Sequence, residues 1–166
     1  FLDVLDMTAG IDLRYYQGIH QAVICDMMSG DYFIDATRVN SVNRENNYHA
    51  ADPNWQYEKL NVGDVVYRDY RGHVMQEGAF ATLEYSVEKL SAFVNGSLAY
   101  TNYWREDRFY YDEYHRNSDV VGFFGGTIKG GVNFNINKFN NIFVNAGFIS
   151  RAPKFNGAFM SSNVSH

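Results

Sequence analysis

Cysteine is nearly missing from this sequence. Cys25 stands alone among 166 residues, which excludes an internal disulfide and leaves the redox compartment open. Proline appears only twice, at Pro53 and Pro153. No apolar run approaches the ~20 residues that a membrane-spanning helix requires. That absence excludes a helical span and leaves a β-barrel open, because barrel strands need only alternate. The opening residues Phe1, Leu2 and Asp3 lack the basic and apolar regions of a signal peptide. Net charge is −5, and the basic residues are scattered singly. Nucleic-acid binding would require a basic stripe, so no nucleic-acid partner is expected.

Aromatic residues fill the space that these absences leave. They make up 17% of the chain, with 13 Tyr and 13 Phe. Hydrophobic residues reach 46%, yet the mean hydropathy is −0.36. Apolar and polar residues are therefore interleaved, as strands with one apolar and one polar face would have them.

Period two runs along most of the chain. Met7, Ala9, Ile11, Leu13 and Tyr15 alternate with Thr8, Gly10, Asp12, Arg14 and Tyr16. Ala79, Ala81, Leu83, Tyr85 and Val87 form a second apolar series, and Glu88 with Lys89 makes a tight turn. Leu90, Ala92, Val94, Gly96, Leu98 and Tyr100 then lead a third strand. Phe124, Ile128, Val132, Phe134 and Ile136, followed after a turn at 137–140 by Ile142, Val144, Ala146 and Phe148, make a second hairpin. The pattern predicts strands over about 7–16, 73–87, 90–104, 119–136 and 141–151.

The connections alternate too. Short turns at 88–89 and 137–140 contrast with long polar segments at 17–72, 105–118 and from 152 to 166. Outer-membrane barrels place short turns on the periplasmic side and long loops outside, whereas most connections in compact soluble domains are about 4–6 residues. The two hairpins supply the ~9–11 residues that a tilted strand needs to cross a bilayer. Tyr100, Tyr103, Trp104, Phe109, Tyr110 and Tyr111 gather where a rising strand would leave lipid, and Tyr85 and Phe134 lie nearer the turns. Two aromatic girdles of this kind suit the two membrane interfaces. The fold expected is all-β: an antiparallel transmembrane β-barrel wall, with a secreted soluble β-sandwich that binds carbohydrate as its alternative.

Two hairpin segments carry a family likeness. Residues 78–85 (GAFATLEY) with 89–96 (KLSAFVNG), and 127–135 (TIKGGVNFN) with 141–148 (NIFVNAGF) and the step Ser150-Arg151-Ala152-Pro153-Lys154-Phe155, resemble the barrel of TonB-dependent outer-membrane receptors of the Bacteroidetes type. The likeness covers 63–159 and, more loosely, 7–18. It implies a location in the bacterial outer membrane and a 22-stranded barrel closed by an N-terminal plug. It further implies coupling to the TonB complex and import of a scarce nutrient such as a glycan, metal chelate, vitamin or peptide. Some members also pair with a surface lipoprotein. Plug, TonB box and aromatic terminal strand are all missing here, so an interior stretch of about five strands is expected.

No catalytic constellation emerges, and no enzyme or cofactor is expected. His49 with Asp52, or Asp112, Glu113 and His115, lack a ligand pattern and read as solvated loop residues. The run from Gly125 to Gly131 has neither the Gly-Lys-Ser/Thr ending of a phosphate loop nor a following helix. Ligand capture would fall to the loop aromatics Trp55, Tyr57, Trp104, Tyr110 and Tyr111, whose faces can stack on sugars or planar chelates. Lys129, Asn133, Asn135, Asn145 and Arg151 fall on the polar side, where a barrel would turn them toward its lumen and plug.

Overall fold

The computed structural model describes residues 4–35, 59–111 and 113–160. Its elements are β1 (Leu5–Val23), β2 (Val65–Val87), β3 (Leu90–Asp107), β4 (Val121–Asn135), β5 (Asn141–Ser150) and one helical turn, α1 (Phe155–Ala158). The strands form one antiparallel sheet in the order β1-β2-β3-β4-β5. Every strand lies beside its neighbour in sequence, as hairpin connections require. The sheet does not close, so β1 and β5 are its edges.

The two short turns have clear local causes. Glu88 and Lys89 alone separate β2 from β3. Between β4 and β5, the Asn137 side-chain oxygen accepts the backbone N–H groups of Phe139 at 2.9 Å and Asn140 at 3.0 Å. The Ile136 N–H closes the turn on the Asn140 carbonyl at 3.0 Å. Asparagine does this well because its short amide mimics a backbone carbonyl.

Contacts between strands establish the faces. The register of β4 on β5 sets Ile128 opposite Phe148, Val132 opposite Val144 and Phe134 opposite Ile142, while Gly131 meets Asn145 and Asn135 meets Asn141. Apolar residues thus pair with apolar ones on one side of the hairpin, and asparagines meet on the other. Asn95 donates to Thr82 across β3 and β2 at 2.6 Å, and Ser97 bonds Thr127 across β3 and β4 at 2.6 Å. Because side chains alternate along a strand, even positions of β1 and β2 share the polar face with odd positions of β3, β4 and β5.

Three strands run longer than the alternation predicts. β1 continues to Val23 and β2 begins at Val65, so both ends of the expected 17–72 loop are strand. β3 reaches Asp107 rather than 104. Alternation fades in these extensions because polar and aromatic residues occupy both sides, while the backbone ladder persists. His20 stacks on Tyr70 at 4.6 Å there, and the Arg105 guanidinium lies 4.0 Å from the centre of the Tyr70 ring. The expected 152–166 loop likewise contains α1.

The chain divides into two compact units. Unit 1 comprises Phe1–Tyr15, Met75–Asn102 and Gly122–Pro153; unit 2 comprises Tyr16–Val74, Tyr103–Val121 and Lys154–His166. Unit 2 has a packed core. Leu60, Val66, Tyr103, Phe109, Tyr111, Ala158 and Phe159 are buried in it. α1 places Phe155 edge-on against Tyr103, with ring centres 5.9 Å apart. Gly72 makes room for this ring, since a Cβ there would stand 2.9 Å from Phe155 Cζ. Among the described residues, unit 1 is a sheet without such a core. Its apolar face leaves Met7, Ile11, Leu13, Leu83, Val94, Leu98, Phe124, Ile128, Val132, Ile142, Val144 and Phe148 exposed.

Candidate functional site

Unit 1 presents a face rich in threonine, serine and asparagine, with a few exposed apolar side chains such as Phe80, Phe93 and Phe143 among them. Thr82, Asn95, Ser97 and Thr127 form two cross-strand bonds. Beyond them the Asn141 amide donates to the Asn133 side chain at 3.1 Å, and the Asn133 amide donates to Asn135 at 3.3 Å. Asparagine serves both roles because its side chain carries donors and an acceptor. Four side-chain hydrogen bonds thus tie neighbouring positions of this face together.

A depression of about 300 Å³ interrupts this face, lined by Glu84, Ser86, Ser91, Phe93, Gly131, Asn133 and Asn145 among others. Gly131 leaves room for two side chains at its floor. A Cβ on Gly131 would strike the Asn145 amide and stand 2.6 Å from Phe93 Cε1. One aromatic ring edge beside amides, hydroxyls and a carboxylate can receive a small polar group.

Lys129, Asn133, Asn135 and Asn145 all lie on the polar face, with Lys129 opposite Gly147 in the register. Arg151 lies one residue past β5, exposed, with its Cα near Gly125. The aromatic loop candidates take separate places. Trp55 and Tyr57 lie outside the described residues. Trp104 stacks flat on His73, ring centres 4.9 Å apart. Tyr110 donates its hydroxyl to the Tyr67 carbonyl at 2.7 Å, and Tyr111 is only 4% exposed. Among the three described candidates, Tyr111 is thus packed into unit 2 rather than offered to a ligand.

The polar centre of unit 2 holds those loop residues in place. Asp107, 1% exposed, accepts Arg105 Nη2 at 2.8 Å and the backbone N–H groups of Phe109 at 2.9 Å and Tyr110 at 3.1 Å. A charge this deep is tolerable only when paired and hydrogen-bonded. Asp35, also buried, accepts the Tyr67 N–H at 2.7 Å. Tyr67 has φ = 63°, a conformation that costs a non-glycine residue energy unless its surroundings hold it. Asp35 on its N–H and Tyr110 on its carbonyl supply that hold.

Among the described residues, no group of three or more His, Cys, Asp or Glu could hold a metal. His49, Asp52 and Asp112 lie outside them. Cys25 is exposed, its thiol 3.6 Å from the Val23 carbonyl oxygen. Sequence reasoning did not single out Thr82, Ser97, Thr127 or Phe93. Their positions on the polar side of each alternating series were a usable signal for their shared face. Nothing in the sequence signalled the clamp between Asp35 and Tyr67, because its partners are 32 residues apart. Comparison with protein-family models, curated proteins and solved structures finds no match.

Proposed function

We propose that this chain forms part of the wall of an outer-membrane β-barrel importer of the TonB-dependent kind. The observation that carries the barrel is the apolar face of unit 1. It spans five strands, and no second sheet covers it among the described residues. A soluble sandwich requires two such faces packed together; lipid covers one directly. Phe124 and Phe134 stand ten residues apart on β4, about 34 Å along an antiparallel strand. At a tilt of about 45° that becomes roughly 24 Å, the height of a barrel's apolar band. The open edges of β1 and β5 would pair with further strands, since an unpaired edge is not tolerated in lipid.

Import, rather than passive structure, rests on the likeness of the two hairpins to receptor barrels. On this reading the polar face looks into the lumen and meets a plug that yields on a signal from the TonB complex. Lys129, Asn133, Asn135 and Asn145 supply contacts there, not catalysis. Loop residues around Trp104 and Tyr110, with Trp55 and Tyr57, attend a small-molecule or oligosaccharide ligand, and a surface lipoprotein serves as a lid.

Fractionation of source cells tests this. The polypeptide is expected in detergent-extracted outer membrane, on a chain several times longer than this stretch. Recovery as a free soluble protein of about this length would overturn the proposal in favour of a secreted binding domain.

A further inference from the structure

On the polar face of unit 1, Thr82, Asn95, Ser97, Thr127 and Asn133 are bonded to neighbouring side chains. Three residues around Phe93 are not. Among the described residues, Glu84, Lys129 and Asn145 make no side-chain hydrogen bond or ion pair. They border two hollows. Glu84 lines the depression of about 300 Å³ described above, and Lys129 lines a second of about 370 Å³. Phe93 and Asn145 line both, so the hollows adjoin.

Two glycines decide where these side chains lie. Phe93 from β3 and Asn145 from β5 both reach over Gly131, where a Cβ would strike them. Gly147 pairs with Lys129, and its bare backbone lets the lysine stem cross it. Lys129 Cγ lies 2.8 Å from where a Gly147 Cβ would stand. The bonds Thr82–Asn95 and Ser97–Thr127 fix the registers of β2, β3 and β4. Counting from them, Glu84 stands beside Phe93, and Lys129 lies between Asn95 and Gly147, neither of which is charged. Val4 accepts the Ser86 N–H, so Asp6 falls beside Glu84 and adds to the negative charge there. Glu84 and Lys129 are two strands apart, about 10 Å across the sheet.

We propose that the adjoining hollows bind a short peptide by its two ends, the amino terminus at Glu84 and the terminal carboxylate at Lys129. Opposite charges held apart complement a zwitterion, and each end then gains a charge-assisted hydrogen bond. Between them the Asn145 amide offers both donors and an acceptor to the peptide backbone, and the Phe93 ring packs against its aliphatic part. A neutral sugar answers neither charge. A single amino acid carries both of its charges on one carbon, too close together for this spacing. Two or three extended residues of roughly 3.3–3.6 Å each fit it. The inference uses unit 1 alone and stands apart from the barrel reading, whether this face looks into a lumen or into water.

The test is calorimetric titration of the full polypeptide, in uncharged detergent if it comes from membrane and in plain buffer if it does not. The probes are trialanine, N-acetyl-trialanine, trialanine amide, free alanine and maltotriose. Trialanine is expected to bind about ten-fold or more tightly than either capped form, since each cap removes one charged contact. Glu84→Gln should weaken trialanine by about ten-fold and leave the N-acetylated form unchanged. Lys129→Gln should do the same with the amide as its indifferent probe. Should a variant not fold, the capped peptides on the unaltered polypeptide carry the test. Equal binding of capped and uncapped peptides would overturn the proposal, as would no binding up to about 10 mM or folded variants that discriminate as before. Alanine binding as tightly as trialanine would overturn the two-ended span, and maltotriose doing so would overturn the ligand class. Recovery in the soluble fraction sinks the barrel reading and leaves these titrations to decide the peptide site separately.

Discussion

Leu60, Val66, Tyr103, Phe109, Tyr111, Ala158 and Phe159, the buried hydrophobic residues among those described, all belong to unit 2. Unit 1 leaves side chains such as Ile11 and Phe124 each 79% exposed. Yet unit 1 has the stricter alternation and the more regular hairpins. The difference separates two sources of order. Unit 2 resembles an ordinary protein interior, where aromatic rings and a paired buried charge exclude water. Among the described residues unit 1 has no buried hydrophobic side chain, so its one-sided pattern leaves an apolar face uncovered by them. Contiguous apolar patches larger than a few hundred Å² are uncommon on soluble monomers.

Substitutions can sharpen the contrast. The largest effect is expected in unit 2, from Asp107→Ala. It strands the Arg105 guanidinium and the N–H groups of Phe109 and Tyr110, at about 3–5 kcal/mol. Urea unfolding followed by tryptophan fluorescence measures it, and a loss under about 1 kcal/mol would mean the pair is dispensable. Next comes Ile128→Arg on the apolar face, exposed between Phe124 and Phe134. In lipid vesicles it should cost about 2–4 kcal/mol, the penalty for a cation facing mid-bilayer lipid. In a water-bathed sheet the same change would be nearly neutral, so this variant bears on the barrel reading itself.

Smaller effects follow. Gly72→Val drives a side chain against the Phe155 ring, 2.9 Å from where the new Cβ would stand. Overpacking of about 1–3 kcal/mol is expected, and faster proteolysis around residue 155 would report release of α1. Thr82→Val removes the acceptor of the Asn95 bond on the polar face and should cost about 0.5–1.5 kcal/mol. Lys129→Gln, exposed on the same face, should change stability by less than about 0.5 kcal/mol. A ranking with Lys129→Gln above Ile128→Arg would invert the two faces.

Sequence reasoning went furthest where chemistry is local and periodic. The antiparallel all-β sheet was legible because period two leaves little else for Met7–Tyr15 or Phe124–Phe134 to form. The turn at 137–140 was legible because asparagine favours such geometry. The extensions of β1 beyond residue 16 and of β2 before residue 73 escaped notice. His20, Tyr70 and Arg105 hold that region through ring stacking and cation contact, neither of which leaves a period. The burial of Asp35 and Tyr111 was equally hidden, since it depends on segments distant in sequence. On the polar face, Asn133 and Asn145 could be assigned a side by parity alone, but the hollow at Gly131 and Phe93 needed four strands in register.

The most direct test of a lipid-facing wall is site-directed spin labelling along β4, on the intact polypeptide in vesicles with Cys25 replaced by serine. Labels would be placed singly from 127 to 134 and their collisions measured with oxygen and with a water-soluble nickel chelate. The expected result is strict alternation. Positions 128, 132 and 134 should favour oxygen, and 127, 129 and 133 should favour the chelate. If the even positions were shielded from both reagents, as a packed protein core would be, or open to the chelate like the odd ones, the lipid-facing wall would be contradicted.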